Sequence, residues 1–183
     1  MIKIGEKIQR FYPPWLELIP PFLLAFVLAY TVYNYALLPE MMPTHFGLSG
    51  RADDWSHKDF WSVYLSLIIG AVVWFSVLMI NYFLIMKPDD PGKYINLSPQ
   101  QKVKLGPVQL EYIRTITARG MFIINLTMAA MIATLQYGSI NTALGIQKGL
   151  GWSVAVFGLA LFVESIWLTV KTVSATFTPK TKR

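Results

Sequence analysis

Four apolar runs divide the chain, at roughly 15–38, 60–86, 115–137 and 150–170. Each is about as long as the ~20 residues of helix needed to cross the hydrocarbon core of a bilayer. Between and around them lie polar segments: 1–14, 39–59, 87–114, 138–149 and 171–183. The pattern predicts an all-α integral membrane protein, a single domain over 1–183, with four transmembrane helices and a structured loop between the first two.

Local signals sharpen these boundaries. In the first segment Ile4, Ile8, Phe11 and Tyr12 share a helical face away from Lys3, Lys7 and Arg10, which fits a short interfacial helix stopped by Pro13-Pro14. Pro20 and Pro21 inside the first run predict a kinked start. No small-residue cleavage site follows, so this run reads as an uncleaved anchor. Ser56 and Asp59 have capping-box spacing ahead of the second run, and Ser98-Pro99-Gln100-Gln101 repeats that signature ahead of the third, with an interruption expected at Gly106-Pro107. Small residues at Ala129 and Ala133, and at Gly151 and Gly158, are available for close helix contacts and leave a homo-oligomer open.

Composition agrees with a membrane protein: 54% of residues are hydrophobic and 14% charged. The absence of cysteine excludes disulfides, thiolate metal ligands and thiol nucleophiles. The net charge of +6 forms no single patch, so no nucleic-acid partner is expected. Its distribution reports topology instead. Lys3, Lys7, Arg10, Lys87, Lys93, Lys102, Lys104, Arg114, Arg119, Lys171, Lys180, Lys182 and Arg183 fall on one side, and only Arg51, Lys58 and Lys148 on the other. By the positive-inside rule the chain is a multi-pass protein of the cell membrane with both termini cytoplasmic and the 39–59 loop outside.

That loop concentrates the ionisable chemistry. It holds both histidines and four of the ten carboxylates. Pro39 and Pro43 favour extended backbone, Ser49-Gly50 supplies a turn, and Trp55 lies at interface depth. Lys58, in the first turn of the second helix, opposes the helix dipole and is expected to pair with Glu40, Asp53 or Asp54, stapling the loop ends. Pro43, His45, Phe46, Gly50, Asp53, Trp55 and Lys58 are the candidate ligand- or partner-binding residues. His45, Asp53, Asp54 and His57 are chemically competent ligands for a divalent metal, although their spacing matches no established motif, so no cofactor is predicted. Two outward histidines beside carboxylates also suit pH sensing. The plainer alternative has His45 bonded to loop backbone and His57 simply solvated.

Within the membrane Glu164 stands out, seven residues before Lys171 and so about 10 Å deep by helical rise. Arg119 is its expected partner, with Asn81 and Asn125 completing an intramembrane polar network that either locks helices together or serves a proton or ion path. Glu17 lies nearer the interface and is expected to snorkel. No nucleophile elbow, helical zinc-protease motif or phosphate loop is present.

Leu38-Pro39, Pro43, His45-Phe46, Gly50, Asp53, Trp55 and Lys58 together resemble a bacterial membrane domain of unassigned function found at the N-terminus of Sdp-type toxin-immunity proteins. Ala52, Gly47 and His57 depart from that pattern, where proline, asparagine and serine are usual. The resemblance implies a helical bacterial membrane protein and, for the immunity members, protection against a secreted toxin with membrane recruitment of a repressor. Three functions therefore stand side by side. The first is a non-enzymatic protein presenting an ordered external loop to a peptide, toxin or partner membrane protein, with its basic face near membrane lipids. The second is a small ion-coupled carrier using Glu164. The third is a metal-dependent membrane enzyme using His45 and loop carboxylates.

Overall fold

The computed structural model describes residues 4–47 and 49–177; Lys3, Lys180, Lys182 and Arg183 of the topological count lie outside them. The described chain is mostly helical. Four helical stretches are long and apolar enough to cross a membrane: Pro14–Leu37, Phe60–Met86, Pro99–Ala143 and Ser153–Phe177. Their outward faces are unusually apolar, with Phe22, Phe26, Val72, Leu159 and Phe162 each at least 60% exposed, far more than a monomer in water leaves uncovered.

The element order is α1 (Ile4–Gln9), a 3-10 turn (Pro14–Leu18), α2 (Ile19–Asn34), a second 3-10 turn (Tyr35–Leu37), strands β1 (Met41–Phe46) and β2 (Ala52–His57), α3 (Phe60–Ile80), α4 (Pro99–Ala143) and α5 (Ser153–Phe177). The 39–59 segment thus corrects the all-α expectation: it is an antiparallel β-hairpin. Pro20 and Pro21 do not kink the first run internally. They occupy the first turn of α2, where a missing N–H removes no helical bond, and the irregular start is the 3-10 turn before them. The capping residues of α3 are also displaced from expectation. Ser56 lies in β2, and Asp59 is the cap: its Oδ1 accepts from Ser62 N–H (2.6 Å) while Ser62 Oγ accepts from Asp59 N–H (2.9 Å).

The Ser98–Gln101 box forms as read, with reciprocal bonds of 2.9 and 3.2 Å. Gly106, at φ 71°, breaks α4 just before Pro107. Beyond that break α4 runs on six residues past Tyr137, and α5 starts at Ser153, so the connector between them is shorter and later than 138–149. At its far end α3 passes into a π-helical segment, Asn81–Met86, closed by Lys87 N–H to the Tyr82 carbonyl (2.8 Å).

The chain forms two compact units. One comprises residues 17–75 and 126–161. Its core holds one cluster of Leu38, Met42, Val63 and Ile140, packed by Tyr30, Tyr35 and Tyr64, and a second of Leu24, Val27 and Leu67. Gly70 lets Ile132 come close, since a Cβ there would lie 2.5 Å from the Ile132 side chain. Through this core runs a polar thread. Gln136, 1% exposed, donates to Thr31 Oγ1 (3.2 Å) and the Val63 carbonyl (2.9 Å), and accepts from Ser66 Oγ (2.6 Å).

The other unit comprises residues 1–16, 76–125 and 162–183, with the described limits above. Here Ile8, Phe11 and Tyr12 are buried. Tyr12 packs on Phe122 at 4.8 Å, and Arg114 sits over the Phe11 ring at 5.4 Å while pairing with Glu111 (2.6 Å) and donating to the Pro88 carbonyl.

Candidate functional site

The hairpin is fastened at both ends and at its tip. Met42, 1% exposed, anchors β1 in the core beside Val63 and Ile140. At the open end Lys58 N–H donates to the Glu40 carbonyl (2.7 Å). Against the expectation of a pairing with Glu40, Asp53 or Asp54, the Lys58 ammonium donates to the Leu38 carbonyl (2.8 Å) and lies 5.4 Å from the centre of the Tyr35 ring. The staple therefore exists, but its acceptor is a helix-end carbonyl, which lets the cation complete a backbone group instead of an exposed ion pair.

At the tip Gly47 N–H bonds the Arg51 carbonyl (2.9 Å) and Gly50 N–H the Gly47 carbonyl (2.8 Å). Gly50 is buried, at φ +74°, and its carbonyl accepts from Leu150 N–H (2.7 Å), while Arg51 and Gly149 form an antiparallel bridge. A Cβ on Gly50 would sit 2.2 Å from the Gly151 carbonyl oxygen, and one on Gly149 2.1 Å from the Gly50 oxygen. The connector before α5 thus docks on the hairpin through backbone groups, at a closeness that Gly50 and Gly149 permit.

Register places Pro43 opposite Trp55, Met41 opposite His57 and His45 opposite Asp54. Irregular pairing around His45 nevertheless delivers its Nδ1 to Asp53 Oδ1 at 2.6 Å. Gly47 permits this approach, because a Cβ there would lie 2.7 Å from Asp53 Oδ2. Nδ1–H donating to the carboxylate leaves Nε2 as the ring nitrogen that Asp53 does not engage. His45 therefore bonds a side chain, not loop backbone. Asp54 accepts from Trp55 N–H (2.9 Å), and His57 lies at the other end of β2. Among the described residues no three histidine, aspartate or glutamate side chains gather as a metal-ligand set.

A cavity of about 600 Å³ opens beside the hairpin, between β1, the start of α3, α4 and the connector to α5. Its lining is mixed: Thr44, His45, Ser56, Asp59, Ser62, Ser66 and Ser139 are polar, and Leu65, Ile69, Leu135 and Val154 apolar. The Asp59 carboxyl is held below the usual carboxylate value, chiefly by the Ser62 backbone N–H at the helix end, with the Ser62 hydroxyl and Trp61 N–H adding to it. Residues 22–71 match a domain of unknown function, DUF1648. This DUF1648 segment takes in α2 from Phe22, the whole hairpin and α3 as far as Ala71. No curated protein and no solved structure matches the chain. Every hairpin residue singled out from sequence lies inside the DUF1648 segment, whereas the connector that fastens its tip lies outside.

The intramembrane candidates lie in the other unit. Asn81 Nδ2 donates to the Ala118 carbonyl (3.1 Å) and the Tyr12 hydroxyl (3.3 Å). Arg119 Nε–H donates to the Phe11 carbonyl (2.8 Å), a tie to the N-terminal segment that sequence reasoning did not foresee. Asn125 is buried, and Glu164 borders a small apolar recess with Gly120, Ile123, Val163 and Trp167. Glu17 lies part-buried in the first 3-10 turn. Sequence reading missed the Gln136 thread and the docked connector. A glutamine within an apolar run, and glycines at 145, 149 and 151, were the available signals.

Proposed function

We propose that this is a four-span protein of the bacterial cell membrane, with both termini cytoplasmic, whose external hairpin recognises a ligand or partner without catalysing a reaction. The observation that carries the reading is the His45–Asp53 pair held on a hairpin fastened at three places, beside an open cavity. A rigid mount is what recognition needs, because little ordering entropy is then lost on binding. Lysine and arginine asymmetry supports the outward placement of the hairpin. The resemblance to Sdp-type immunity proteins supports a secreted peptide or toxin as the partner class, and a signalling role for the basic cytoplasmic face.

Two measurements test this. A cysteine placed at Ser49 is expected to react with a membrane-impermeant maleimide in intact cells; labelling only after permeabilisation overturns the outward hairpin. A photoreactive amino acid at Thr44 is expected to give a discrete adduct in living cells that disappears in Asp53→Ala. An unchanged adduct removes the His45–Asp53 pair from recognition.

The recess beside Glu164 supports a second reading, an ion-coupled carrier in which that carboxylate takes up a proton or cation. Glu164→Gln is then expected to give a folded protein without flux in proteoliposomes. A folded variant with parental flux excludes it.

A further inference from the structure

We infer that the cavity beside the hairpin is a binding site for an amphiphile with an ammonium head and a short aliphatic tail. The inference deepens the recognition reading by naming a ligand class for the same surface, and rests on that reading for its biological sense.

Three observations converge on it. The volume, about 600 Å³, lies within the range of ~300–1,000 Å³ typical of small-molecule sites. Its walls change character along α3. From Ser62 to Ile69 is seven residues of α3, about 10 Å of helical rise, and over that distance the lining passes from the Asp59 carboxylate and Ser62 hydroxyl to Leu65 and Ile69, with the Ser66 hydroxyl between them already bonded to Gln136. Ser139 also lines this space, so a larger side chain there would occupy part of it.

Charge then selects the head group. The described lining includes the Asp59 carboxylate and an imidazole already turned to Asp53, but no lysine or arginine. The nearest cation in sequence, Lys58, is committed to the Leu38 carbonyl and the Tyr35 ring. An anionic head would therefore meet a carboxylate with no cationic side chain in the lining, whereas an ammonium finds Asp59 and the Thr44 and Ser56 hydroxyls as acceptors. The apolar walls favour a tail, because a small hydrophilic cation would leave them exposed.

The test uses the full chain in phosphatidylcholine nanodiscs, titrated calorimetrically with n-octylammonium against empty nanodiscs. A saturable one-to-one component is expected, absent with octanoate. Asp59→Asn keeps the helix cap, since asparagine caps as well as aspartate, yet removes the charge, and is expected to weaken binding at least tenfold. Ser139→Leu fills the cavity and is expected to abolish the component. No saturable component in the parent, equal binding of octanoate, or parental affinity in both folded variants overturns the assignment. Phosphatidylethanolamine in the nanodiscs separates the sources: competition with octylammonium identifies a membrane lipid, and no competition a free aliphatic amine, with the ammonium site upheld in either case. Failure here with outward labelling at Ser49 removes the amphiphile and leaves the recognition hairpin. The converse result removes the outward hairpin and leaves the cavity site.

Discussion

Replacing Gly149 by alanine should free the hairpin tip from the connector without unfolding the helices. Gly149 sits at φ +153°, and an alanine Cβ would fall 2.1 Å from the Gly50 carbonyl oxygen and 3.0 Å from Arg51 Cα, both backbone atoms that cannot swing aside. The bonds at risk are the Arg51–Gly149 bridge and the 2.7 Å bond from Leu150 N–H to the Gly50 carbonyl. Strain at a disfavoured backbone position is about 1–3 kcal/mol, and the net value of a hydrogen bond about 0.5–1.5 kcal/mol. Together they put the local loss on the order of 2–4 kcal/mol. At roughly 1.4 kcal/mol per factor of ten, backbone amides at the junction should exchange at least tenfold faster. Hydrogen–deuterium exchange by mass spectrometry of the protein in nanodiscs reads this directly, comparing peptides over 47–52 and 149–152 with those in α3 and α4. Gly145→Ala is the control, because Gly145 also has positive φ (+72°) but nothing within 4 Å of its Cβ position. The reasoning fails if the junction stays protected in Gly149→Ala, or if Gly145→Ala loosens it equally.

Further outcomes follow from the other fastenings. Lys58→Met removes the bond to the Leu38 carbonyl and the contact with Tyr35, so amide exchange at the hairpin base should rise several-fold with helical circular dichroism unchanged. Gln136→Leu, which deletes three hydrogen bonds inside an apolar core, should lower stability by about 1–4 kcal/mol in thermal unfolding in detergent, and Thr31→Val by less, since it touches only one of them. The Asp59 carboxyl titrates below its ordinary 3.8, so its contribution to folding is present above that pH and lost as acid passes through the lowered value; the Ser62 amide resonance should titrate with a midpoint below 3.8, and show no such step in Asp59→Asn.

The helices were legible because length and apolar content suffice to specify them. Punctuation was legible where one reading dominated: the Ser98–Gln101 box has no competitor, and Gly106-Pro107 removes both a side chain and a donor at one point. At Ser56–Asp59 the same spacing misled, because residues 52–57 were claimed by strand pairing with 41–46, which pushed the helix start to Asp59. The hairpin itself was hidden, since Ala-Asp-Asp-Trp-Ser-His shows no clean alternation; β2 buries little, and Met42 on β1 supplies the anchor. That His45 chooses Asp53 over Asp54 depends on the irregular register beside Gly47, a geometric detail that adjacent identical residues cannot announce. Lys58 was read as seeking negative charge. An unsatisfied carbonyl at the end of the preceding helix was the nearer acceptor.

The π-helical segment that follows α3, Asn81–Met86, carries one residue more per hydrogen-bonded ring than the helix before it. Each helical residue advances the azimuth by roughly 100°. Excising a single residue between Asn81 and Met86 would therefore preserve a helix while swinging Met86 away from its 4.0 Å contact with the Tyr12 hydroxyl. The segment behaves as a phase adjuster, so indels there, unlike point substitutions, should change which way the downstream loop faces.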